Sequence, residues 1–283
     1  TNWIAENYPR NPLKSFLTIV FPNSPFTNAT TKDDKRRTQI QNLLFSYREI
    51  ADDSSERCVL TGDKVTSRQL AEDHPIGRAY RQHVPLIMGE GHINFFPQGD
   101  SGLPIAGWAL LCIQAFPLGC AKVGSRLLAV HASNPRMTQL FASHFLEENL
   151  KRIDLAQKAQ SEGMPASSFT FGTAIANVLT EIFTKSSFYQ DESGLPSLTA
   201  YHFTNYGSNP AVSIYHLPLG VMRFLRRANG GSYQALWGKV VQGAWQSDEP
   251  KVPKTKKNAA PAEASSAKPD KPRKNYLYED LLK

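Results

Sequence analysis

Three histidines, His74, His83 and His92, recur at intervals of nine residues and lie near Cys58 in sequence, a set of side chains that could ligate zinc. Their spacing matches no strong zinc motif, and Cys112 and Cys120 stand eight apart, so no metal site is assigned. The Gly91-His92-Ile93-Asn94 run could belong to a metal-dependent nuclease hairpin, but the acidic and histidine partners of such a hairpin are not placed. No P-loop, nucleophile elbow or HExxH is present, and the carboxylates do not pair within an apolar context. The chain is therefore read as having no catalytic residue and no cofactor, and as not being an enzyme.

The remaining chemistry is cationic. Arg78 and Arg81 flank Tyr80, Arg223, Arg226 and Arg227 fall at helical spacing beside Phe224, Arg126 starts a strand, and Arg136 opens a helix. Arginine and lysine bind phosphates without sequence preference. Lys35, Arg36 and Arg37 sit in the first turn of a helix, where positive charge opposes the helix dipole. A phosphate would explain them, and so would a solvated basic turn offset by Asp33 and Asp34.

Those residues need elements to hold them. The 283 residues carry 32 Lys+Arg against 25 Asp+Glu, a formal +7. Residues 251–283 hold nine Lys+Arg and four Asp+Glu, a net of +5, which leaves only +2 for residues 1–250. Hydrophobics at 41% exclude a disordered chain and support a real core. Three cysteines are too few for a disulfide scaffold and fit a reducing cytosol. The N-terminal stretch has no signal-peptide pattern, and the longest apolar run, residues 103–116, is shorter than the roughly 18 residues a membrane span needs.

The apolar run 16–21 reads as a strand. Ile40, Leu43, Leu44 and Tyr47 mark a helix capped by Asp33 or Asp34, and 103–116 reads as a core helix. Val123–Val130 reads as one buried strand, and a long amphipathic helix starts near Met137. A helix around Ile175–Phe183, strands at 198–206 and 211–216, and helices at 221–227 and 233–245 follow. Without regular βαβ alternation the fold class is α+β. Residues 1–247 form the globular domain, 248–274 a Lys/Pro/Ala linker with five prolines, and 275–283 a docking segment or the start of a further helical region. DSGLP at 100–104 and ESGLP at 192–196 share turn chemistry.

Across Cys58–His131 the segments CVLTG, GEGHINFFPQGDSGLPIAGWALLCIQAFPLGC and GSRLLAVHASN resemble the CXXC–CXXC family of CRISPR-associated proteins, the large subunits of type I-B-like Cascade complexes. NPLKSFLTIVFPNSPFT and NYLYEDLL look like other parts of that family. Its paired cysteines are degenerate here: Thr61 stands at the second position of the first pair, and Ala106 and Trp108 surround the second. The resemblance implies a lost zinc knuckle, and a small-subunit-like helical region that is absent or separately encoded.

It also implies a non-catalytic role in RNA-guided DNA binding, in which the guide reads sequence while protein reads a short adjacent motif (PAM) and holds the backbone. Implied partners are crRNA, double-stranded target DNA, the backbone, handle-binding and small Cascade subunits, and a recruited nuclease-helicase or transposition adaptor, but no membrane. Within the loop 92–101, Asn94, Gln98 and Ser101 are the expected reading residues, with Lys35, Arg36 and Arg37 on DNA. Arg78, Arg81, Arg126, Arg136, Arg223, Arg226 and Arg227 are the expected backbone or RNA contacts. A metal-dependent nuclease and a stand-alone RNA-binding module remain the alternatives.

Overall fold

The computed structural model describes residues 1–28, 30–72, 74–87, 99, 101–185, 195–206, 210–246 and 272–281. They fall into two compact units, Thr1–Ala166 with Leu198–Tyr215, and Ser167–Ser197 with His216–Lys283. The architecture is α+β.

In the first unit, helices α1 (Asn2–Asn7), α2 (Leu13–Leu17), α3 (Asp33–Phe45) and α4 (Gly107–Ala115) surround one apolar core. Tyr8, Phe16, Leu43, Leu44 and Leu110 are buried there, and the Tyr8 hydroxyl donates to the Gln114 carbonyl at 2.8 Å. The expected strand at 16–21 is instead α2 and the turns after it. Leu13, Phe16, Leu17 and Val20 are all buried at helical intervals, so the 3.6-residue period prevails within an unbroken apolar run. Helix α3 begins as expected, but Lys32 is its N-cap and makes no side-chain cap bond. Asp33 lies in the first turn, and its carboxylate accepts from Arg36 Nη1 at 2.8 Å.

The core helix at 103–116 starts only at Gly107. Leu103–Pro104 is a short strand, β2, antiparallel to β1 (Arg78–Ala79). Gly107 then fits against the α3 end, where an added Cβ would stand 2.2 Å from the Ser46 carbonyl carbon.

The expected strand at 123–130 is a hairpin, β3 (Ala121–Val123) and β4 (Arg126–Ala132), turning at Gly124-Ser125. Strand β4 continues the sheet to β5 (Leu198–Thr204), pairing Leu127 with Phe203 and Ala132 with Leu198, and β6 (Ala211–Leu217) completes the order β3-β4-β5-β6. Leu127 to Val130 are buried without alternation because both faces of β4 are covered, one by the core and one by α5 (Pro135–Lys158). Asn134 caps α5 through the Arg136 amide at 2.9 Å. Asn149 ties α5 to the loop before β3 by donating to the Leu118 and Cys120 carbonyls.

The second unit is helical: α6 (Phe171–Lys185), α7 (Leu219–Ala228), α8 (Gln234–Gly243) and α9 (Tyr276–Asp280). The segment before α9 bridges Arg273 to Phe169 and Asn275 to Trp245, and α9 packs on α6 with Tyr278 buried. Among the described residues no helix is long and apolar enough to cross a membrane.

Candidate nucleic-acid interface

A cleft of about 680 Å³ opens in the first unit where α2, the β3–β4 hairpin and the end of β5 meet. Lys14, Ser15, Thr18, Lys122, Ser125 and Tyr206 line it. These residues are far apart in sequence, and the hydrogen bonds that unite them are specific. The Asn205 amide and side chain donate to the Ile19 and Val20 carbonyls at 2.8 and 3.0 Å, which fastens the exit of β5 to the chain after α2. His202 Nε2 meets the Val123 carbonyl at 3.2 Å and steadies the hairpin turn.

Two lysines line the cleft. Lys14 is half-buried and has no side-chain partner among the described residues. Lys122 donates to the Met164 carbonyl at 2.6 Å, an uncharged acceptor. Desolvation, with the Arg152 guanidinium adding to it, holds the Lys122 ammonium below the usual lysine range. Desolvation likewise lowers Arg152, against the opposing pull of Glu148. An ammonium that is desolvated beside a second cation gains from a nearby anion. Tyr206 is 64% exposed at the lip, where its ring face can take a base. The arrangement suits single-stranded nucleic acid, with phosphates on ammonium groups and a base on the aromatic ring.

Of the sequence-predicted residues that are described, only Arg126 stands beside this cleft. It follows Ser125 and its guanidinium donates to Ser213 Oγ at 3.4 Å. Arg136 is exposed in the first turn of α5. Lys35 pairs with Glu72, and Arg36 closes the preceding turn by donating to the Asn28 and Thr31 carbonyls, whereas Arg37 is exposed with no ion pair among the described residues. Arg81 is exposed, and Arg223, Arg226 and Arg227 belong to α7 in the second unit.

Arg78 is buried. It pairs with Glu56 and donates to the Gly102 carbonyl at 3.1 Å, and the Tyr80 hydroxyl donates to the Ser101 carbonyl at 3.2 Å. Arg78 and Tyr80 thus fix the backbone that follows the 92–100 stretch in sequence. Gly102 gives room for that packing, since a Cβ there would meet the Tyr80 ring at 2.7 Å. Asn94 and Gln98 lie outside the described residues, as does His92.

The segments CVLTG and GLPIAGW fold against one another. The Val59 amide donates to the Pro104 carbonyl at 3.1 Å, and Trp108 Nε1 donates to Asp63 Oδ2 at 3.0 Å. Burial pushes the Cys58 thiol up, but hydrogen bonds from the Thr61 side chain and from the backbone of Ala106, Leu60 and Thr61 outweigh it, so the thiol lies below the usual range. His74 stacks on Tyr80 with ring centroids 3.7 Å apart, while His83 is buried and accepts the Tyr80 amide at 3.2 Å. Among the described residues no three His, Cys, Asp or Glu side chains converge to hold a metal ion.

Lys14, Lys122 and Tyr206 were not singled out by sequence. The available signal was the turn Val123-Gly124-Ser125-Arg126, which places a cation on each side of a hairpin tip. Comparison with protein-family models, with curated proteins and with solved structures finds no match to this chain.

Proposed function

We propose that the chain is the non-catalytic large subunit of an RNA-guided type I CRISPR Cascade complex, acting in the cytoplasm to recognise the PAM and to hold target DNA and the 5′ handle end of crRNA. The observation that carries the nucleic-acid part is the cleft, which Lys14, Lys122 and an exposed Tyr206 line together. The meeting of CVLTG with GLPIAGW supports the resemblance, because a knuckle that once shared a metal needs those segments adjacent. Lys14 itself lies within NPLKSFLTIVFPNSPFT, another of the segments that carry the likeness.

The test is co-expression with the other Cascade subunits and a crRNA, followed by target-duplex binding. Lys14→Ala and Lys122→Ala each weaken binding across sequences and lower the salt slope by about one, and Tyr206→Ala costs about 1–3 kcal/mol with the slope kept. Asn94→Ala and Gln98→Ala relax PAM discrimination. Unchanged binding in all three cleft variants sinks the cleft, and unchanged discrimination in both amide variants sinks the reading loop. Tight RNA binding by the isolated chain would instead favour a stand-alone RNA-binding module.

A further inference from the structure

The second unit carries a feature that the nucleic-acid reading does not use. Tyr233, Leu236, Trp237 and Val240 recur at helical intervals through α8 and the turn before it, and with Phe224 and Arg227 of α7 they line a groove of about 350 Å³. The apolar side chains face outward: Tyr233 is 64% exposed, Leu236 63%, Val240 48% and Phe224 45%. Helix α8 buries none of its residues. The C-terminal segment holds α8 elsewhere, with Asn275 Nδ2 donating to the Val241 carbonyl and the Tyr276 amide to that of Ala244. Phe224 meets Trp237 edge to face at 5.2 Å, which sets the groove floor.

Charge says what fits there. No Asp or Glu occurs from residue 193 to residue 247, a stretch that holds Arg223, Arg226, Arg227 and Lys239. Arg223 and Arg227 stand one turn apart on α7, on either side of Phe224 in sequence. Arg223 and Lys239 make no ion pair among the described residues.

We propose that the α7–α8 groove is a docking site for an acidic amphipathic helix of a partner protein. The partner seats apolar side chains at i, i+3, i+4 and i+7 along the two-turn stripe from Tyr233 to Val240, and its flanking carboxylates meet the Arg223 and Arg227 side of α7 and Lys239 on α8. The proposal stands apart from the cleft and from the Cascade reading.

Two labelled amphipathic peptides of about five helical turns, one with glutamates flanking a leucine stripe and one with lysines in their place, are titrated onto the full chain by fluorescence anisotropy. The acidic peptide binds at least about tenfold more tightly at low salt. Leu236→Asp and, separately, Val240→Asp weaken it by a similar factor, and Arg223→Glu with Arg227→Glu shifts the preference to the basic peptide. Both apolar variants alter exposed side chains, and thermal melting checks that they remain folded. Equal affinity for the two peptides, or no binding, overturns the proposal. So does a concentration-dependent dimer that Leu236→Asp dissolves, which would give the groove to a second copy. Displacement of the acidic peptide by single-stranded oligonucleotide with the same variant dependence would give it to nucleic acid.

Discussion

His83 shows how a residue that could do chemistry is committed to structure. Its ring is buried, its Nδ1 accepts the Tyr80 amide, and its carbonyl accepts from Gln114 Nε2 at 2.7 Å. Burial, with the neighbouring His74 adding to it, pushes the imidazole down to about 3 from an ordinary 6.5. Between those values the unfolded chain binds a proton that the folded chain does not. Stability therefore falls as pH drops from 6.5 toward 3, by up to about 1.4 kcal/mol per pH unit. Urea midpoints across that range measure the slope, and the difference between the natural chain and His83→Gln isolates it from the carboxylates. Equal slopes in the two would show that His83 does not titrate in this way. The nine-residue histidine spacing suggested ligands because sequence shows types and intervals, not burial. Arg78 was marked for nucleic acid on similar grounds, yet its guanidinium is buried on Glu56 and the Gly102 carbonyl.

Elements were legible where one period ran long enough and a cap marked the end. Helix α5 has Asn134 and Pro135 at its start and apolar residues at Met137, Phe141 and Phe145, so both signals agree. The unbroken run at 16–21 offered no polar face to set a period. Contacts with distant residues decided where α4 begins, since Gly107 is required by the Ser46–Tyr47 backbone sixty residues earlier. Gly107→Ala forces those backbones apart and should cost about 3 kcal/mol or more, read as a lowered urea midpoint; a loss under about 1 kcal/mol would mean the junction yields easily. At the other end of the chain, Glu279 Oε1 accepts from the Thr173 amide at 2.8 Å and from its hydroxyl at 3.0 Å, capping α6 with a carboxylate from α9. Glu279→Ala removes a cap and a charge at a helix N-terminus, an expected loss of about 1–2 kcal/mol in the second unit. Hydrogen exchange in α6 should report it, and unchanged protection there would deny the cap. The cluster NYLYEDLL was visible in sequence, but its partner on α6 was not, because nothing local links Glu279 to Thr173.

Net charge located neither the cleft nor the groove. Of the formal +7, residues 251–283 contribute +5, yet the cleft rests on Lys14 and Lys122 within a region of net +2. Their effect comes from placement, as a half-buried ammonium without a side-chain partner among the described residues and a desolvated one beside Arg152. The cleft was illegible because Lys14, Lys122 and Tyr206 span almost two hundred residues, and only the sheet register and the Asn205 bonds bring them together. A separation of roles follows. The basic stretch 251–271, net +4, should supply sequence-independent attraction that fades with salt, whereas the cleft should supply binding that depends on the Tyr206 ring. Deleting 251–271 should then lower affinity for non-specific duplex and reduce its salt slope. The ratio between the natural chain and Tyr206→Ala, measured in the assembled complex, should be the same with and without the deletion. If the deletion drives that ratio to one, the ring acts only through the basic stretch, and the cleft is not a binding site in its own right.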